Sequence, residues 1–92
     1  LEAARVIITW DPKKAESNRR KHGVDFREAA TVLEDTLSTT FPDPDHSVDE
    51  ERFVTIGQSR AGRILVVAHA DRAEDEVRII SAAGHPARVE VL

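Results

Sequence analysis

The segment WDPKKAESNRRKHGVDFREAA, residues 10–30, restricts the fold more than any other part of the chain, because it sets two helices and the corner between them. Asp11 can accept a hydrogen bond from a free amide of a first helical turn, and Pro12 sits where its missing N–H costs nothing. The helix is predicted to run to about His22, with Gly23 free to take the left-handed conformation that closes a C-terminus. Lys21 and His22 complement the negative end of its dipole. Asp25 and Glu28, three apart, form a capping-box-like pair. Val24 and Ala29 staple the entry of a second helix, predicted to reach about Leu33.

Beyond the helices the period changes from that of a helix to that of a strand. Thr36 to Phe41 is rich in β-branched residues, and the prolines and aspartates of PDPDHSVDEE that follow argue against regular structure. Arg52 to Ser59 places Phe53, Thr55 and Gly57 on one face and Val54, Ile56 and Gln58 on the other. A tight connection at Arg60, Ala61 and Gly62 leads to Arg63–Ala70, and a second turn around Asp71 to Asp75 leads to Glu76–Ala82. With Val6 to Thr9 ahead of the helices, the order is βααββββ. The expectation is a small α+β domain covering residues 1–92, with two N-terminal helices packed on an antiparallel sheet. The last residues, with Gly84 and Pro86 and then Val89, Val91 and Leu92, suit either a short edge strand or a frayed end.

Ninety-two residues are enough for one modest core and not for two. No apolar run approaches the roughly 18 residues of a membrane span, and LEAARVIITW lacks the apolar stretch of a secretion signal. A cytoplasmic setting without membrane association is therefore expected. The absence of cysteine removes disulfides, thiol catalysis and thiolate metal sites.

The net charge of −4 conceals an asymmetry. Residues 1–30 carry seven Lys/Arg against five Asp/Glu, residues 31–51 carry seven Asp/Glu and no Lys/Arg, and the remainder carries six against five. Local potential decides which partners approach, and the acidic block argues against direct DNA binding by this chain alone.

No HExxH, P-loop or GxSxG motif occurs, which removes the enzyme classes those motifs serve. Asp43, Asp45, Ser47 and Asp49 alternate as in a calcium loop, but the central glycine is missing and the twelfth position is the apolar Val54. No metal or cofactor is expected, and the loop reads as solvated or as salt-bridged to the protein's own arginines. Among the histidines, His69 lies in the apolar strand RILVVAHA, sharing a face with Arg63, Leu65 and Val67, where Arg78 or Arg52 of a neighbouring strand could approach it. A buried, hydrogen-bonded role and an active-site role both suit it.

Trp10-Asp11, Lys14, Asn18, the Lys21-His22-Gly23-Val24 corner, Phe26, Glu28, the Asp43–Ser47 loop, Glu51-Arg52, His69 and Arg78-Ile79-Ile80-Ser81-Ala82 together resemble the BrnT family of bacterial toxins from about Val6 to Ala82. The resemblance implies a type II toxin of a toxin-antitoxin system, with a RelE/ParE-like fold and an endoribonuclease activity that stops translation. It also implies a BrnA-type antitoxin as partner, with operon DNA bound only through the antitoxin complex. The family pattern continues past RIISA with a further basic residue and a Thr-, Arg- and Glu-rich helix, whereas here the chain reads AAGHPARVEVL. Residues 83–92 are thus an atypical tail, and a toxin-like module that binds an antitoxin or a second copy of itself without cutting is the alternative.

Cutting RNA through its own 2′-hydroxyl needs a proton acceptor, a cation at the charged phosphorane and a proton donor for the leaving oxygen. Arg78 and Arg52 are expected on the phosphate, with His69 or His22 as proton carrier. Lys14, Lys21 and Arg63 are expected to position RNA, with a surface or structural role as the alternative for each. Trp10 and Phe26 are expected in the core rather than as stacking platforms for bases.

Overall fold

The computed structural model describes residues 5–86. In chain order the elements are β1 (Ile7–Trp10), α1 (Pro12–His22), α2 (Phe26–Val32), β2 (Thr39–Pro42), a 3-10 turn (Pro44–His46), β3 (Arg52–Gln58), β4 (Ile64–Ala73) and β5 (Glu76–Gly84). Asp11 caps α1 by accepting from the Lys13 amide at 2.8 Å, and Gly23 ends it at φ 67°, with its own N–H bonded to Arg19 O. Asp25 caps α2 through the Arg27 amide, but Glu28 does not complete a capping box. It turns instead to Arg63 and the Ser59 hydroxyl, where a bidentate ion pair outweighs a single bond to a backbone amide.

The strands form one sheet in the order β1-β5-β4-β3-β2. The expected antiparallel pairing is present in β2 to β5, but β1 lies parallel to β5, with Ile7 opposite Glu76 and Trp10 opposite Ile79, so the sheet is mixed. Hairpin logic covers only strands joined by a short turn. β1 and β5 come from opposite ends of the domain, with both helices and three strands between them, so nothing local specifies their direction.

Both helices cover one face of the sheet. Val24, Phe26, Ala29, Val32, Leu65, Val67, Ile79 and Ala82 form the buried core, and Trp10 meets Phe26 edge-on at 6.2 Å, so both aromatics belong to it. Gly57 lets α2 settle onto β3: a Cβ there would stand 2.8 Å from the Ser38 Cβ and 3.1 Å from Val32 Cγ1. Beyond Trp10, β5 has no strand partner on its outer side among the described residues, and α1 supplies a ladder there with a side chain. Asn18, 5% exposed, donates to Ala82 O at 2.8 Å and to Val24 O at 3.1 Å, and accepts from the Ala82 amide at 3.0 Å. One buried amide thus closes a sheet edge and ties it to the helix corner.

β5 reaches Gly84, past the expected end at Ala82. Val89, Val91 and Leu92 lie outside the described residues. Among the described residues, no helix is long and apolar enough to cross a membrane.

Candidate active site

The face of the sheet turned away from the helices carries a cross-strand row. Arg52 on β3 is opposite Ala70 on β4, Ala70 is opposite Arg78 on β5, and Arg78 is opposite Thr9 on β1. Two strand spacings separate the arginine backbones, roughly 10 Å. Between them Ala70 is fully buried, its small methyl leaving room for both guanidinium groups to converge above it. Register shifts on β4 and β5 flank the row, after Ala68 and after Asp71, and such irregularities re-aim neighbouring side chains.

A single carboxylate meets both arginines. Arg78 Nη2 donates to Glu50 Oε1, and Arg52 Nε lies 3.7 Å from the same oxygen. All three side chains are about a quarter to a third exposed, at 28%, 32% and 27% for Arg78, Arg52 and Glu50. The Nε atoms of Arg52 and Arg78 are buried with no hydrogen-bond partner among the described residues. The cluster therefore has more donors than Glu50 satisfies, and two positive charges against one negative.

Ser47 places Glu50. Its hydroxyl donates to Asp43 O at 2.6 Å and accepts from the Arg52 amide at 2.9 Å, while the Asp43 amide bonds Arg52 O at 2.8 Å. These bonds fold the acidic loop back onto the first residue of β3. Glu50 and Arg52, two apart, then project to the same side. A recess of about 310 Å³ lies against this loop, lined by Asp45, His46, Val48, Asp49, Glu50 and Arg52.

The other expected residues lie elsewhere. His69 precedes Ala70, so its ring emerges on the helix side, 5% exposed and stacked on Phe53 at 5.9 Å. Its Nε2 is 2.8 Å from the Thr55 hydroxyl and its Nδ1 is 3.2 Å from Asp71 Oδ1. Lys14, Lys21 and His22 gather on the outer side of α1, where with Ser17, Ile80 and Ser81 they line a shallow recess of about 200 Å³ beside the β5 edge. Arg63 is held by Glu28 and by Gly23 O at 3.3 Å, which ties the β4 start to the helix corner. The fold therefore brings Arg52 and Arg78 together and keeps His69, His22 and Arg63 apart from them. Glu50 and His46 were not singled out from sequence. The one available signal was the Glu50/Arg52 spacing, which puts both on one side of an extended strand.

A protein-family model described as the ribonuclease toxin BrnT of type II toxin-antitoxin systems matches residues 10–84. Among solved structures, the Brucella abortus ribonuclease toxin BrnT is similar, with a TM-score of 0.68 and 23% identity over 92% of this chain and 100% of that one. At that identity the likeness is one of fold. No curated protein matches the chain. With most of its length, the whole helix pair and the arginine-bearing strands inside the matched span, the chain belongs to the BrnT family of ribonuclease toxins of type II toxin-antitoxin systems.

Proposed function

We propose that this chain is an endoribonuclease that cuts RNA without a metal ion, stops translation in the cytoplasm and is neutralised by a BrnA-type antitoxin. The observation that carries this reading is the pair of arginines meeting one carboxylate across Ala70. In it, Arg52 and Arg78 clamp the scissile phosphate, each guanidinium able to offer two parallel N–H bonds. Glu50 now occupies the pair as a phosphate oxygen would. When RNA enters, it yields the guanidinium groups to phosphate and takes the 2′-hydroxyl proton. Lys14, Lys21 and His22 steady the flanking nucleotides: Ile80 and Ser81, which share their recess, lie roughly 7–10 Å along β5 from Arg78 at the rise of an extended strand. Operon DNA is reached only through the antitoxin.

The test is a 5′-labelled messenger incubated with purified chain, as free RNA with and without a chelator and, with no chelator, in a cell-free translation reaction. Discrete cuts that persist with chelator and fall about 100-fold or more in Arg78→Ala agree with the reading. Cuts that vanish with chelator, or survive Arg78→Ala, refute it. Glu50→Gln should cut slowly while holding RNA at least as tightly, since its charge no longer competes for the arginines.

A second reading, binding without cutting, draws on the same sheet face. Val54, Ile56, Val66 and Ala68 are half-buried there, on the face away from α1 and α2. An antitoxin segment packed on that row would bind Arg78→Ala as well as the native chain, and intact messenger in the assay would leave this as the protein's role.

A further inference from the structure

Resting on the ribonuclease reading above, we propose that His46, oriented by Asp43, is the acid that protonates the leaving 5′-oxygen. Glu50 is a proton acceptor, and neither arginine gives up a proton readily, so the arginine cluster alone has no donor for the departing alkoxide. His46 lines a recess with two members of the cluster, Glu50 and Arg52. His69 emerges on the opposite face of the sheet with both ring nitrogens bonded, and His22 lies against the β5 edge beside α1.

The geometry at His46 fits the task. Its Nδ1 lies 2.9 Å from Asp43 Oδ2, and a carboxylate only accepts, so Nδ1 donates and Nε2 is the nitrogen left to exchange a proton. Asp43 is itself fixed: its carbonyl oxygen accepts from the Ser47 hydroxyl, and its amide bonds Arg52 O. The short 3-10 turn Pro44–His46 therefore hangs from the same backbone bonds that bring Glu50 to the arginines. The acid and the base are set by one loop closure.

The step balances between substrate and the two side chains, and solvent afterwards carries a proton from Glu50 and returns one to His46. The 2′-oxygen bonds to phosphorus and its proton passes to Glu50. The phosphorus–O5′ bond breaks, and the proton on His46 Nε2 passes to O5′. A 2′,3′-cyclic phosphate and a free 5′-hydroxyl result, and no water or further reactant is consumed.

The experiment compares two oligoribonucleotides that differ at one atom, the bridging 5′-oxygen or a bridging 5′-sulfur. A thiolate leaves without protonation, so the sulfur substrate bypasses the acid. On the oxygen substrate His46→Ala should be slower by about 100-fold or more, and Asp43→Asn by a smaller factor. On the sulfur substrate both should return to within a few-fold of the native chain. Undiminished cutting of the oxygen substrate by His46→Ala overturns the proposal, as does an equal loss on both substrates, which would mark a role in folding or binding. The native chain is read first on both substrates. If it cuts neither, the ribonuclease reading itself fails and this assignment with it; if it cuts and His46→Ala cuts equally, only His46 is misassigned.

Discussion

Removing the Asn18 amide should cost the helix side of the sheet about as much as truncating a buried core side chain. Asn18→Ala deletes three hydrogen bonds, two donated to Val24 O and Ala82 O and one accepted from the Ala82 amide, at a site only 5% exposed. At roughly 1 kcal/mol net per bond the loss is about 3 kcal/mol, before any added cost of the Ala82 N–H left buried without a partner. A domain of 92 residues is expected to hold only about 5–14 kcal/mol in total, so the change removes a large share of it. The midpoint temperature should fall by roughly 12–24 °C. With a urea slope near 1 kcal/mol per molar, the denaturation midpoint should drop by about 3 M. Amide exchange should show Ala82 losing its protection with the rest of the β5 edge. Asn18→Asp sharpens the test: it keeps the acceptor for the Ala82 amide but sets carboxylate oxygen against two carbonyls, so it should destabilise at least as much as alanine. A midpoint shift below about 0.5 M for Asn18→Ala, or a milder effect for aspartate than for alanine, would refute the edge-closing account.

The Glu28 carboxyl is held below its ordinary value of 4.5, first by the hydrogen bond from Arg63 and also by the Ser59 hydroxyl, while burial pushes the other way. A group lowered on folding contributes stability above its unfolded value that is lost as pH falls through the lower folded one. Glu28→Gln should therefore flatten the acid limb of the stability profile below about pH 4.5, measured by urea titration at several pH values; an unchanged limb rejects the linkage. Asp45 and Asp49 line the recess beside Arg52 and oppose an incoming phosphate. The double change Asp45→Asn, Asp49→Asn should tighten RNA binding at low salt, with the gain shrinking as salt rises, in a fluorescence-anisotropy titration.

The helices were legible because their signals are local: Asp11, Pro12, Gly23 and Asp25 each act within a few residues of where they stand. The β3–β4 and β4–β5 hairpins were legible for the same reason. The second strand was placed early, at Thr36 to Phe41, whereas β2 begins at Thr39. The intervening turn is tied down by Asp35, which accepts from the Leu37 amide and, across the fold, from Gln58. Alternation correctly grouped His69 with Leu65 and Val67, but only cross-strand register shows that Arg52 and Arg78 face Ala70 and so point the other way. The register of β4 on β5 also shifts after Ala68 and after Asp71, and alternation along one strand does not show such irregularities. The Ser47 hydroxyl folds the loop back so that Glu50 meets the arginines and His46 lines the recess beside them, a closure that the Glu50/Arg52 spacing does not by itself reveal.

His69 is where the separation of the two sheet faces can be tested, since by residue type it is as good a proton carrier as His46. On the helix side it closes a polar chain, Thr40 to Thr55 to His69 to Asp71, with oxygen or nitrogen contacts of 2.8, 2.8 and 3.2 Å. It also stacks on Phe53. His69→Ala loses two hydrogen bonds and one ring contact, roughly 2–3 kcal/mol. Two features limit the damage: Thr55 keeps Thr40 as a partner, and His69 borders a groove of about 610 Å³, so the truncated site opens toward solvent instead of leaving a sealed void. The midpoint temperature should therefore fall by about 10–20 °C while cutting, assayed well below the new midpoint, stays close to native. The opposite pattern, native stability with cutting abolished, would mean that RNA reaches the helix side of the sheet and that the arginine face is not where the chemistry happens.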